Sequence, residues 1–221
     1  SVSTFIFYYV LKTDISPDKD ANNDSYVMLL AVLMLYFFAT DKSISQIEGA
    51  VFFSLYIIYI FWLYKRTKGD EVSSDDSKTS YTFLIGGLIA LLIGAQLTVD
   101  SAVDIALVIG IPEIVIGLSV VAVGTSLPEL AGTISAARMG HKEIAVGNVI
   151  GSNIANIFLV MGVLSLINPI SVEGFVVEQT LPLLIILTIV TFGLIRVTLN
   201  RLSGSLLFAF FLFFIYQLTF I

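Results

Sequence analysis

Long apolar runs, each bounded by charged or turn-forming residues, recur along the chain. They cover Tyr26–Thr40, Ile44–Tyr64, Thr82–Val99, Ile114–Ala137, Ile144–Ile167, Gln179–Ile195 and Leu202–Ile221. A hydrocarbon core about 30 Å thick takes roughly 20 helical residues to cross, so runs of this kind read as spans. One more apolar piece, Val2–Leu11, is too short to span alone. Lipid offers no partner to open backbone groups, which leaves helices as the form of every run. The pattern predicts an all-α membrane protein, a transmembrane helix bundle of about seven full spans plus a partial one.

Composition supports that reading. The 221 residues are 57% hydrophobic and 13% charged, with a mean hydropathy of +0.97. Soluble domains run near 45–50% apolar and about 25% charged. The absence of cysteine excludes a disulfide framework and thiolate metal sites. A net charge of −6 gives no reason to expect a nucleic-acid partner. No basic region followed by a small-residue cleavage site marks the first residues as a signal peptide. Catalysis has no support, since no nucleophile–base pair, Walker motif or redox centre is present.

Positive charge sets the expected orientation. With Lys65–Ser80 placed in the cytoplasm and the spans alternating from there, ten of the eleven Lys and Arg residues fall inside: Lys12, Lys19, Lys65, Arg66, Lys68, Lys78, Arg138, Lys142, Arg196 and Arg201. Lys42 alone falls outside. The stretch 65–80 is the one sizeable polar linker, with Asp70, Glu71, Asp75 and Asp76 after its basic start. It reads as a solvated loop; EF-hand spacing, which a regulatory Ca²⁺ site would call for, is missing. Trp62, Tyr59 and Tyr64 fit an interfacial aromatic belt.

The chain also resembles itself. Shifted by 155 positions, Leu11, Ile15 and Ser16 fall on Leu166, Ile170 and Ser171, and Ser45–Gly49 falls on Asn200–Gly204. Phe53 and Ile60 meet Phe208 and Ile215 in the same register. Residues 81–155 find no counterpart, so the register predicts about 75 residues in front of Ser1. Repeats of five spans insert in opposite orientations, the inverted-repeat plan of secondary transporters. The expected organisation is the end of a first five-helix repeat in 1–64 (a partial helix plus two spans), a cytoplasmic linker in 65–80, and a second five-helix repeat in 81–221.

Within the apolar runs one charge stands out. Glu129 is the only ionised side chain between Ile114 and Ala137. A charge at mid-bilayer costs about 2.5–3.5 kcal/mol on insertion scales, which makes it a functional candidate. The plainer reading is a carboxylate that snorkels or pairs with Arg138. Pro128 lacks an N–H and so frees the carbonyl of Gly124 in a continuous helix. An ordinary proline kink is the plain reading there, but Thr125, Ser126 and Glu129 adjoin it. Helical spacing puts Thr125 with Glu129, and Ala122 with Ser126, on neighbouring faces. Together they offer a carboxylate, hydroxyls and carbonyl oxygens, hard donors of the kind Ca²⁺ takes in sets of six to eight. One segment supplies roughly half such a shell, so a second carboxylate is expected from elsewhere.

The next run repeats the theme. Nothing charged lies between Ile144 and Val172, and Ser152 and Asn156 are four apart. Gly147 and Gly151 are also four apart, a small-residue surface expected to admit another helix closely. Hydrogen-bonding glue between helices is the plain reading of Ser152 and Asn156; ion binding gains from the Glu129 segment beside them. His141 reads as a surface residue, Gln96 and Gln217 as interhelical hydrogen-bonders, and Asp100, Asp104 and Glu113 as interfacial charge.

Gly124-Thr125-Ser126-Leu127-Pro128-Glu129, followed by Gly147-Asn148-Val149-Ile150-Gly151-Ser152-Asn153-Ile154-Ala155-Asn156, resembles the α-repeat of the cation/calcium antiporter superfamily, specifically the sodium/calcium exchanger family. The likeness covers most of 81–221 and, more loosely, 26–64. It implies ten helices in two inverted repeats around four ion sites. It further implies that Glu129 and Thr125 coordinate Ca²⁺, that Ser126, Ser152 and the Ala122 carbonyl line Na⁺ sites, and that Asn156 sits in the central one. Some relatives carry Asp at the position of Asn156, which leaves ion choice and proton coupling open. The first α-repeat, which completes the Ca²⁺ site in the family, is the expected missing part, supplied in cis or by another chain.

The implied function is exchange of Ca²⁺ for Na⁺ by alternating access across the cell membrane, with no resident cofactor. Two other readings stay open: a proton/Ca²⁺ antiporter on the same fold, and a non-transporting half that needs a partner chain.

Overall fold

The computed structural model describes residues 19–67, 81–111, 116, 122–196 and 201–218. In chain order these form α1 (Lys19–Phe38), α2 (Gln46–Thr67), α3 (Tyr81–Val108), α4 (described over Ala122–Gly124), α5 (Leu127–Arg138) and α6 (Lys142–Ala155). A π-helical turn, Asn156–Met161, carries α6 into α7 (Gly162–Ile167). A second π-helical turn, Val176–Thr180, opens α8 (Leu181–Leu194), and α9 spans Arg201–Leu218.

Five described stretches are long and apolar enough to cross a membrane: Asp20–Asp41, Gln46–Arg66, Tyr81–Val108, Lys142–Ile167 and Val176–Leu194. They match five of the predicted runs with shifted ends. The run 202–221 appears as α9, whose apolar part is Leu202–Phe213. The run 114–137 is interrupted rather than continuous. Val2–Leu11 and residues 68–80 lie outside the described residues. The outer faces suit only lipid. On α3, Phe83 is 84% exposed and Leu88, Leu92 and Leu97 are each more than half exposed. An apolar surface of that extent has no place in water.

α1 is the central helix. Asp24, Met28, Ala31 and Leu35 recur at three and four positions and are buried, as are Ala21, Ser25, Val32 and Ala39 beside them. That stripe packs against α6 and α8, while Tyr26, Leu30, Leu33 and Phe37 face outward. Phe38, Phe52 and Phe158 stack in sequence, with centroids 5.1 Å and 6.0 Å apart, and join α1, α2 and the first π turn.

α2 begins with a reciprocal cap. The Ser45 backbone N–H donates to Glu48 Oε2 at 2.7 Å, and the Glu48 N–H donates to Ser45 Oγ at 3.3 Å. At this same end Gly49 and Gly162 bring α2 and α7 into backbone contact: a Cβ on Gly162 would lie 2.9 Å from the Phe53 nitrogen. Two connections also meet. Lys42 takes a left-handed conformation at φ 65°, its carbonyl accepts from Val172 N–H at 2.8 Å, and β1 (Ser43–Ile44) pairs antiparallel with β2 (Ile170–Ser171).

The ends of α1 and α2 are clamped by charge. Arg66 donates through Nη1 and Nη2 to the two carboxylate oxygens of Asp24 at 3.0 and 3.1 Å, and its Nε lies 3.4 Å from Asp20. The Asp24 side chain is 11% exposed and Arg66 21%, whereas Asp20 is 47% exposed. Removing one partner of a buried pair strands the other charge, at a cost of about 3 kcal/mol. Asp24→Ala should therefore lower the thermal unfolding midpoint clearly. Asp20→Ala should stay within about 1 kcal/mol of wild type, as exposed pairs do. Equal midpoints for the two variants in detergent would remove the clamp.

Tyr59 departs from the belt expectation. It is buried at 7% exposure and turns inward beside Asp24, leaving Trp62 under the Arg66 guanidinium at 4.6 Å and Tyr64 exposed. Gln96 also differs: its amide donates to Asp100 Oδ1 one turn along its own helix, at 2.8 Å, rather than to a neighbour.

Candidate functional site

The segment around Glu129 is a broken helix. α4 ends at Gly124, Thr125 and Ser126 form a turn, and α5 starts at Leu127 with Pro128 in its first turn. Proline suits that position, where its missing N–H has no helical acceptor to lose. The sequence predicted a kink inside one continuous span; the chain instead starts a new helix. Ser126 takes the N-cap position at φ −93° and ψ 0°, its N–H donates to Val123 O at 3.0 Å, and its carbonyl accepts from Leu130 N–H at 3.0 Å. Thr125 lies before the cap, so it does not share an α5 face with Glu129 as helical spacing predicted.

Glu129 falls in the first turn of α5. The unpaired N–H groups there carry partial positive charge, which favours a carboxylate. Its Oε2 is buried and has no hydrogen-bond partner. Arg138 stands in the last turn of the same helix, about 13 Å along the axis at 1.5 Å per residue, and makes no ion pair with it. Pairing with Arg138 is therefore not what holds Glu129. An orphaned buried carboxylate oxygen is costly, and a cation is the group whose charge offsets it.

α5 is packed on two sides. Leu127, Leu130, Ala131 and Ile134 face α3 across an apolar groove of about 430 Å³ that also takes in Gly94 and Thr98. The other side meets α6 through an antiparallel hairpin turning at Met139–His141, with Gly140 at φ +88°. Close approach of Gly124 to α3, where a Cβ would lie 2.0 Å from Val99 Cγ2, holds the end of α4 against that helix.

Asn148 on α6 bridges the hairpin. Its Nδ2 donates at 2.9 Å to the Glu129 carbonyl and at 2.9 Å to Thr133 Oγ1. Thr133 is 1% exposed. Helices running in opposite directions from this contact bring Ser152, one turn beyond Asn148, level with Glu129; Asn156 lies a turn further on, towards the Thr125–Ser126 turn. Ser152 Oγ donates to Val149 O at 3.1 Å. Asn153 donates to the same carbonyl at 2.7 Å.

Asn156 is exposed and is the first residue of the π turn. Thr125 and Ser126 are exposed as well, and Ala122 belongs to α4. The sequence singled out these residues without the π geometry, which leaves no mark in hydropathy. It also passed over Asn148 as a working residue; the signal was an amide in an uncharged span. At Gly147 and Gly151 a Cβ meets nothing within 4 Å among the described residues, so no described helix makes that close approach. The close approach between helices lies at Gly49 and Gly162. Among the described residues no cluster of three or more His, Cys, Asp or Glu is present. A cation there would take Glu129, hydroxyl, amide and carbonyl oxygens.

Residues 79–220 match the protein family described as sodium/calcium exchanger protein. The chain is 43% identical over 134 residues to the sodium/calcium exchanger MaX1 of Methanosarcina acetivorans, covering 60% of this chain and 38% of that protein. It is 32% identical over 200 residues to the putative antiporter CaxA of Alkalimonas amylolytica, covering 82% and 62%. The fold is similar to solved structures of the sodium-calcium exchanger NCX_Mj. For the crystal soaked with 2.5 mM Na⁺ and 1 mM Sr²⁺ the TM-score is 0.79 at 31% identity, covering 96% of this chain and 72% of that one. The chain thus spans 38% and 62% of the length of these two relatives.

Proposed function

Because this chain belongs to the sodium/calcium exchanger protein family, we propose that it serves a secondary antiporter that exchanges Ca²⁺ for Na⁺ by alternating access. The observation that carries the reading is the buried, unpartnered Oε2 of Glu129, set in the first turn of a broken helix inside an apolar bundle. Broken helices at membrane depth occur where they line a polar cavity, and ion sites form at such breaks.

In this reading Glu129 and Thr125 ligate Ca²⁺. Ser126, Ser152 and the Ala122 carbonyl line Na⁺ sites, and Asn156 belongs to the central one. Ca²⁺ and Na⁺ compete for overlapping oxygens, so one ion leaves as the other enters. Another carboxylate and hydroxyl set, from a first α-repeat in cis or from another chain, completes the Ca²⁺ shell of six to eight oxygens. The setting is the cell membrane, with the 65–80 loop cytoplasmic; the bias of Lys and Arg supports that orientation.

Asn156 favours a second reading, proton coupling, because a neutral amide there lowers the charge available to draw Na⁺. The test is ⁴⁵Ca²⁺ flux in proteoliposomes holding the protein with both α-repeats, at fixed pH, with and without an outward Na⁺ gradient. Uptake that requires the Na⁺ gradient is the expected result. Uptake driven by a pH gradient in Na⁺-free vesicles would replace Na⁺ by H⁺, and no uptake under either gradient would overturn antiport.

A further inference from the structure

We propose that Asn148 is the positioning residue of the cation site, holding Glu129 in place through its main-chain carbonyl. This deepens the antiporter reading and rests on it. Oε2 has no hydrogen-bond partner among the described residues, so the backbone is what aims the carboxylate there. The α5 ladder alone does not fix that backbone relative to α6. The cross-helix bond from Asn148 Nδ2 to the Glu129 carbonyl, at 2.9 Å, does. The carbonyl keeps its helical partner on one lone pair and takes Asn148 on the other.

The neighbourhood is shaped for that amide. Gly132 lies beside it, where even a Cβ would only touch Nδ2, at 3.7 Å. Thr133, one turn beyond Glu129, accepts from the same nitrogen at 2.9 Å and is buried. Both acceptors sit on α5, so Asn148 fixes the rotation of α5 as well as its distance. Ser152 rides on the same face of α6 one turn away. The bond therefore holds two cation donors, one on each helix, in register.

Asn148→Asp separates positioning from packing. The two side chains have nearly the same shape, but a carboxylate has no N–H for the Glu129 carbonyl, while the Thr133 hydroxyl can turn and donate to it. Thr133→Val is the complementary change: it removes the second acceptor, leaves the Glu129 carbonyl bond intact, and disturbs packing at a fully buried position. The measurement is Ca²⁺ half-saturation of transport, and Ca²⁺ protection against thermal unfolding, in the protein carrying both α-repeats.

Asn148→Asp should raise half-saturation on the order of tenfold, the lower end of the range for residues that orient a metal ligand. Its unfolding midpoint without ions should fall, since two cross-helix hydrogen bonds are lost and a charge is buried; the readout that separates the two roles is half-saturation. Thr133→Val should lower that midpoint and leave half-saturation unchanged. Wild-type half-saturation in Asn148→Asp would overturn the assignment, and so would a parallel shift in Thr133→Val. If the wild-type protein shows neither Ca²⁺ transport nor protection, the antiporter reading itself falls, and the positioning role with it.

Discussion

Glu129→Ala abolishes Ca²⁺ transport while the protein still inserts and folds; ⁴⁵Ca²⁺ flux at sub-saturating Ca²⁺ should fall on the order of 100-fold or more, since charge count sets Ca²⁺ affinity. The two halves of this expectation come from one observation. Among the described residues the buried Oε2 has no hydrogen-bond partner, so its loss removes no bond made there. It also removes a charge that costs about 2.5–3.5 kcal/mol at mid-membrane. The unfolding midpoint without ions should therefore hold steady or rise. Protection by Ca²⁺ should vanish in the same variant. A carboxylate kept for structure would behave the other way, losing stability and keeping flux. Retained ⁴⁵Ca²⁺ uptake by Glu129→Ala would refute the assignment.

Gly162→Ala is the change with the largest expected cost in stability. The added Cβ would stand 2.9 Å from the Phe53 nitrogen, 3.2 Å from the Gly49 carbonyl and 3.3 Å from Phe52 Cβ. The converse holds at Gly49, where a Cβ would meet Ser165 Cβ at 2.7 Å and the Leu166 nitrogen at 2.9 Å. Most of these obstacles are backbone, which no rotamer change relieves. α2 and α7 have to move apart, and the Phe52–Phe158 stack lies on the same seam. Overpacking a tight interior costs about 3 kcal/mol at the upper end of its usual range. Gly147→Ala is the matched control, because its Cβ meets nothing within 4 Å. It should stay within about 0.5 kcal/mol. Indistinguishable midpoints for the two variants would show that the seam at Gly49 and Gly162 has slack.

These two sites were not equally legible in the sequence. Glu129 declared itself because an ionised side chain in an uncharged run has few explanations. The spans were legible for a related reason: Asp24, Lys42, Arg66 and Lys142 mark where apolar runs stop. Gly49 and Gly162 carried no such mark. Each is an unremarkable glycine in its own run, and only the three-dimensional pairing of distant segments gives either a role. Hydropathy drew attention instead to Gly147 and Gly151, where spacing alone suggested a contact.

Pro128 was legible as a disturbance but not in kind. Its effect depends on whether the helix continues from Gly124 or restarts at Leu127, and the turn at Thr125–Ser126 decides that. Asn148 was hidden for a similar reason. An amide becomes a clamp only when the hairpin register brings it to the Glu129 carbonyl and Thr133. Periodicity describes one helix at a time, and register belongs to two.

The π turn at Asn156–Met161 acts as a phase shifter. Hydrogen bonds that skip five residues rather than four hold more residues per turn, so over this stretch the chain lags a plain α-helix by roughly one residue's worth of rotation. Upstream of it the polar face carries Asn148 to the Glu129 carbonyl, with Ser152 one turn along. Downstream, the lagged face carries Gly162 and Ser165 to the seam with α2. Neither face could keep its partner if the segment were wound uniformly. The residue count between Ser152 and Gly162 therefore works like the tooth count of a gear: changing it by one would leave every side chain the same and misalign one end or the other.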